Sequence, residues 1–113
     1  MSPRPVNAAL QQSAPVFAAL GDATRLHVVS RLSGSGPMSI TQLTEGSHVT
    51  RQAVTKHLTV LAEAGLVRDF RQGRERVWEL RTSRLEEARR ILELISTRWD
   101  EALERLRAMV EDS

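Results

Sequence analysis

Residues 50–67, TRQAVTKHLTVLAEAGLV, hold one helix together with the signals that start and stop it. Thr50 is a natural N-cap, because its hydroxyl can accept from a backbone N–H of the first turn that has no partner inside the helix. Val54, Leu58, Leu61 and Ala62 recur at helical spacing as an apolar stripe, and Gly65 ends the helix before a strand-like Leu66-Val67. Advancing about 100° per residue puts Gln52, Thr55, Lys56 and Thr59 on the opposite arc. Such a helix commits one side to a core and leaves hydrogen-bonding groups and a cation on the other.

Working outward, Ser39 and Gln42 form an S-x-x-Q capping box for a short helix containing Ile40 and Leu43, which Gly46 stops. Two short helices joined by a tight turn predict a helix-turn-helix over residues 39–65. LVRDF and RVWEL flank RQGRE, whose glycine suits a turn, so residues 66–81 read as a two-stranded hairpin, a wing. Upstream, Asp22 caps a helix that places Leu26, Val29 and Leu32 on one face, and GSGP closes it. Residues 7–20 are helix-like, with a break or kink expected at Pro15, placed in the first turn of a helix carrying VFAAL, because an interior proline costs about 3 kcal/mol. Residues 1–6, with two prolines, are expected to be a loose arm. Ser83 and Glu86 read as a second capping box opening a long helix over residues 83–112. From Leu85 to Val110 its apolar residues fall three or four apart, over about 40 Å at 1.5 Å per residue, and this stripe is longer than a small core covers.

The chain has 113 residues, 41% of them apolar and 27% charged, which suits one globular domain over residues 1–113. No run approaches the roughly 18 apolar residues of a membrane span, and MSPRPVNAAL lacks the apolar centre of a signal peptide, so a cytoplasmic protein is expected. The absence of cysteine excludes disulfides, thiolate metal sites and cysteine redox chemistry. There is no glycine-rich phosphate loop and no histidine spaced with carboxylates as an acid–base centre, so no enzyme is expected. Charge is uneven. Residues 48–84 carry eight Lys and Arg against four carboxylates, a net +4, whereas residues 85–113 carry five Arg against eight carboxylates, a net −3. A basic middle suits a polyanion partner, although ordinary surface arginine gives the same count.

The polar arc has the chemistry for base edges. Gln pairs bidentately with adenine, Lys reaches guanine acceptors or phosphate, and a Thr methyl packs on the thymine methyl in the major groove. Glu63, farther along that face, is repelled by phosphate, so contacts are expected in the first two turns. Arg71 and Arg74 flank Gly73 at the hairpin tip, where arginine can enter a minor groove or pair with phosphate, and Arg74 directly follows the turn glycine. Each feature alone also describes a solvated surface. Together, the helix pair, the polar arc and the basic hairpin agree on docking to double-stranded DNA.

FAALGDATRLHVVSRL, AVTKHLTVLAEAGLV and RQGRERVWEL, in that order and spacing, resemble the ArsR family of bacterial winged-helix repressors over roughly residues 15–80. The resemblance implies a mainly α fold with a small β-hairpin in the order α-α-α-α-β-β-α. It also implies a homodimer formed through the terminal helices (residues 7–20 and 83–112) and repression at a palindromic operator. DNA-reading positions would be Arg51, Gln52, Thr55 and Lys56, which matches the polar arc. His57 falls in the family's K-H-L pattern beside the apolar stripe, and a helix-packing or phosphate-contact role and direct base reading both stay open for it.

The family's thiolate sensors need cysteines, and zinc sites on the last helix need histidines. Here His27, His48 and His57 all precede residue 83, so regulation without a metal cofactor is expected. Asp100 and Glu104, paired with a second subunit, offer a hard-cation site as an alternative, and a solvated acidic face beside Arg105 and Arg107 is the plainer reading. Ile91, Ile95, Trp99, Leu103 and Leu106 are expected to pack on the N-terminal helices and the partner subunit, setting two recognition helices about 34 Å apart. Trp99 is either core or the wall of a small-molecule pocket between subunits. The alternative function is a winged-helix module that binds an acidic protein. Operator and effector are not readable.

Overall fold

The computed structural model describes the chain from Val6 to Asp112. Its elements are α1 (Val6–Leu20), α2 (Ala23–Ser35), β1 (Met38–Ser39), α3 (Ile40–Thr44), α4 (Arg51–Glu63), β2 (Val67–Gln72), β3 (Glu75–Leu80) and α5 (Thr82–Glu111). The loose arm expected at residues 1–6 lies outside the described residues, except that Val6 begins α1.

α4 is the axis of the core. Val54, Leu58 and Leu61 are all buried and meet Val16 and Ala19 of α1, Val28, Val29 and Leu32 of α2, Leu43 of α3 and Ala88 of α5 in one cluster. The signals around this helix are present as the sequence predicts. Thr50 Oγ1 accepts from Ala53 N at 3.1 Å. At the other end Gly65, with φ +79°, lets its own N–H reach Ala62 O at 3.0 Å and the Leu66 N–H reach Leu61 O at 2.9 Å. This paired closure needs a left-handed residue, which glycine adopts without a Cβ penalty. It also turns the chain so that Leu66 and Val67 enter the core. The capping box of α3 is complete: Ser39 Oγ accepts from Gln42 N at 3.2 Å, and Gln42 Oε1 accepts from Ser39 N at 2.9 Å.

The sheet has three strands in the order β1-β3-β2, not two. Met38 and Ser39 pair with Trp78 and Val77, so the segment before the capping box covers the edge of β3. The hairpin is also longer than expected, because Gln72 pairs with Glu75 and leaves Gly73 and Arg74 as a two-residue loop. A positive φ of 66° at Gly73, the first loop residue, fits the turn that follows strand twist.

Three further expectations are corrected. α1 runs unbroken through Pro15. Pro15 is exposed, while Ser13, Val16 and Ala19 are buried, so burial of one face holds the helix together across the missing N–H and its lost bond to the Gln11 carbonyl. Leu26 is 52% exposed; the inward face of α2 is Val28, Val29 and Leu32, with Arg25 half-buried beside them. Ser83 and Glu86 form no capping box. α5 begins at Thr82 behind Arg81, whose backbone N–H is held by Leu66 O at 2.8 Å, so Ser83 already lies inside the first turn. Glu86 instead accepts from Arg89 Nη2 at 2.9 Å.

Two outcomes follow. Pro15→Ala restores a helix-interior N–H at an exposed site and is expected to raise unfolding stability by about 1 kcal/mol or more in a denaturant titration. Asp22 caps α2 by accepting from Arg25 N at 3.0 Å. That bond, followed by the Arg25 and His57 charges, holds its carboxyl below the usual range against the opposing effect of burial. A carboxyl lowered in the folded state contributes stability above its unfolded pKa, near 3.9, and loses it as pH falls through the folded value. The stability difference between wild type and Asp22→Ala should therefore be level above about pH 5 and shrink below about pH 4.

Candidate nucleic-acid interface

With Val54, Leu58 and Leu61 facing inward, α4 turns Arg51, Gln52, Lys56 and Thr59 out to solvent and leaves Thr55 half-buried. Arg51, Gln52, Thr55 and Lys56 line one shallow surface depression. The structure therefore brings these side chains together, and it also defines what they offer. The Thr55 hydroxyl donates to Arg51 O at 2.8 Å and the Thr59 hydroxyl to Thr55 O at 2.9 Å, so both protons are committed to the helix backbone. Methyl groups and oxygen lone pairs remain for a ligand. Arg51 donates to Thr41 Oγ1 at 2.8 Å, tying the start of α4 to α3 while its other donors stay available.

On the wing the cations divide into two sets. Arg68 pairs with Glu79 at 2.7 Å and Arg76 with Asp69 at 2.6 Å, both across β2 and β3. The Arg76 hydrogen bond, ahead of its charge, holds the Asp69 carboxyl below the usual range, and the same guanidinium lies 4.8 Å from the centre of the Trp78 ring. Arg71 and Arg74 are exposed and make no ion pair among the described residues, and neither do Arg51 and Lys56. Two of the four arginines of β2, β3 and their loop are thus neutralised within the sheet. The other two sit toward the tip, where Arg74 occupies the loop and Arg71 pairs in register with Arg76.

His57 is not on the open arc. Its side chain is 23% exposed, and Nδ1 lies 3.8 Å from Asp22 Oδ2 and 3.5 Å from Arg25 Nη1. Arg25 in turn donates from Nε to Ala19 O at 2.6 Å, so one residue links the end of α1, the start of α2 and the recognition helix. Arg31 of α2 does similar work for α3, donating to Leu43 O at 2.9 Å and Gln42 O at 3.1 Å, carbonyls that a five-residue helix cannot pair internally. Sequence reading missed both arginines. Their partners lie 12 and 32 residues away, and no local spacing signals such contacts.

Along α5, Ile91 is 7% exposed and buried in this chain, beside Ala9, Gln12 and Ser13 of α1. Ile95, Trp99, Leu103 and Leu106 are exposed, Trp99 at 64%, together with Leu92, Met109 and Val110. Trp99 is therefore not core within one chain. Asp100 and Glu104 are exposed, and among the described residues no group of three or more His, Cys, Asp or Glu is gathered for a metal ion. No helix among the described residues is long and apolar enough to cross a membrane.

Comparison with known proteins agrees with this architecture. A family model for a helix-turn-helix domain matches residues 20–69, from the end of α1 into β2. The HTH-type transcriptional regulator YuzN of Bacillus subtilis is 41% identical over 68 residues, covering 55% of this chain and 74% of that protein. The transcriptional repressor SdpR of the same organism is 29% identical over 73 residues, covering 65% and 80%. An ArsR-like transcriptional regulator from Rhodococcus sp. RHA1 superposes with a TM-score of 0.79 at 34% identity, over 97% of this chain and 99% of that one. A helix-turn-helix with a basic winged hairpin, matched along nearly its whole length to such a regulator, places the chain in the ArsR-like family of winged helix-turn-helix transcriptional regulators.

Proposed function

We propose that this regulator is a homodimeric repressor that covers a palindromic operator in double-stranded DNA through two copies of α4 and the wing, without a metal cofactor. The distribution of unpaired cations carries the reading. Arg51, Lys56, Arg71 and Arg74 are exposed without ion-pair partners among the described residues, whereas Arg68 and Arg76 are neutralised across the sheet by Glu79 and Asp69. Uncompensated charge at a recognition helix and a wing tip suits phosphate, and Gln52 beside it adds a bidentate donor–acceptor for a base edge. Repression is favoured by the likeness to SdpR, a transcriptional repressor. Metal-free regulation is favoured by the donor set, which lacks cysteine altogether and has no histidine on α5.

Dimerisation rests on α5. Leu92, Ile95, Trp99, Leu103, Leu106 and Met109 expose an apolar stripe along one helix, a surface that monomers rarely leave open. Pairing through it by a two-fold axis would set two α4 helices for half-sites one turn of DNA apart.

The direct assay is fluorescence anisotropy on duplex from immediately upstream of the protein's own coding region against scrambled duplex, with zinc and with chelator. Selective binding that weakens with salt and ignores metal is expected; equal weak binding to both duplexes would instead support an acidic-protein partner. Gln52→Ala should lower selectivity by about 1–3 kcal/mol at the base it reads. Lys56→Ala should weaken all sequences alike and reduce the salt slope by about one. In sedimentation velocity Leu103→Glu should shift the protein from dimer to monomer. The same substitution should weaken binding to the palindrome at least roughly tenfold more than to a half-site, as loss of a bivalent contact requires.

A further inference from the structure

We infer that Arg25 is a positioning residue for the recognition helix: its guanidinium donates to Nδ1 of His57, holds the imidazole as the Nε2–H tautomer, and leaves that N–H as a neutral donor to a DNA phosphate. The phosphate part rests on the DNA-binding reading above; the tautomer part does not.

The geometry sets two groups in competition for one nitrogen. Arg25 Nη1 lies 3.5 Å from His57 Nδ1, and Asp22 Oδ2 lies 3.8 Å from the same atom. A guanidinium only donates, so contact with it requires a lone pair on Nδ1, whereas a carboxylate only accepts and would require a proton there. Neutral imidazole has one of each, so the winning neighbour chooses the tautomer. Distance favours Arg25, since 3.5 Å stands at the outer limit of hydrogen-bond reach and 3.8 Å lies beyond it. Anchoring favours it too, because the guanidinium is held in place by its Nε bond to Ala19 O at 2.6 Å.

With Nδ1 turned to α2 and Leu58 beside it wholly buried, His57 cannot enter the groove floor with Gln52 and Lys56. Its 23% exposure is enough for one ring edge at the border of the arc, where a helix lying in the major groove meets the sugar–phosphate wall. A neutral donor there strengthens binding to every sequence and releases no counterion.

The test uses full-length protein carrying 15N in its histidine rings, at alkaline pH where imidazole is neutral, read by long-range 1H–15N correlation. Exposed His27 and His48 supply the reference tautomer ratio. His57 is expected to be almost wholly Nε2–H in wild type and in Asp22→Asn, which keeps a cap oxygen, and to move to the reference ratio in Arg25→Met. A predominant Nδ1–H form in wild type, or a switch in Asp22→Asn, overturns the assignment and makes Asp22 the partner, and either result stands even if Arg25→Met does not fold. On DNA, His57→Phe is expected to lose roughly three- to tenfold in affinity, the worth of one hydrogen bond, equally on operator and scrambled duplex and with an unchanged salt slope. Arg25→Met should lose a similar factor, and the double variant should bind no more weakly than His57→Phe. A change in selectivity makes His57 a base reader and overturns the phosphate role, as do additive losses. Wild type that binds neither duplex overturns that role together with the DNA-binding reading, while the ring spectra still decide the Arg25–His57 contact.

Discussion

Burial of one face of α4 is the constraint on which the rest depends. Leu58 and Leu61 have no exposed surface, and Val54 has almost none, so rotating the helix by one residue would bring Thr55 and Thr59, or His57, into the core. The same burial therefore sets stability and the direction of Gln52, Lys56 and Arg51. It also draws α1, α2, α3 and α5 onto one cluster, so the outward face of α4 stands on a packed core.

Hydrogen bonds at the helix ends then set the angles between elements. α3 is too short to satisfy its own ends, and it relies on the Ser39–Gln42 box at one end and on Arg31 at the other. Thr41 receives Arg51 from α4, and the Gly65 closure sends the chain into β2. Arg25 adds a link of a different kind, because its one side chain reaches both the Ala19 carbonyl of α1 and the His57 ring of α4. α1 and α5 lie against each other where Ala9, Gln12 and Ser13 meet Glu87, Arg90 and Ile91.

The wing separates structural from available charge. Cross-strand pairs consume Arg68 and Arg76, and the Arg76 guanidinium also covers Trp78. Within residues 48–84 the cations without an ion pair among the described residues are Arg51 and Lys56 on α4, Arg71 and Arg74 toward the hairpin tip, and Arg81 after β3. The order of four carboxylates and eight cations along the chain carries this division, yet only strand register reveals it.

Local chemistry made much of the fold legible in the sequence alone. Caps at Asp22, Ser39 and Thr50, the stop at Gly65, the turn at Gly73 and the stripe of α4 all act within a few residues, so spacing was enough to place the helix-turn-helix, the wing and the arc at Gln52, Lys56 and Thr59. Tertiary structure decided what depends on contacts between distant segments. Pro15 stays helical because burial of Val16 and Ala19 outweighs one lost hydrogen bond, and Leu26 faces out because α1 and α4 select the face of α2 they cover. β1 exists because β3 offers an edge, and the Arg81–Leu66 bond starts α5 one residue before Ser83. Inward placement of His57 against Arg25 and Asp22 belongs to the same class: a sequence states which groups are present, and only packing states which of them share a proton.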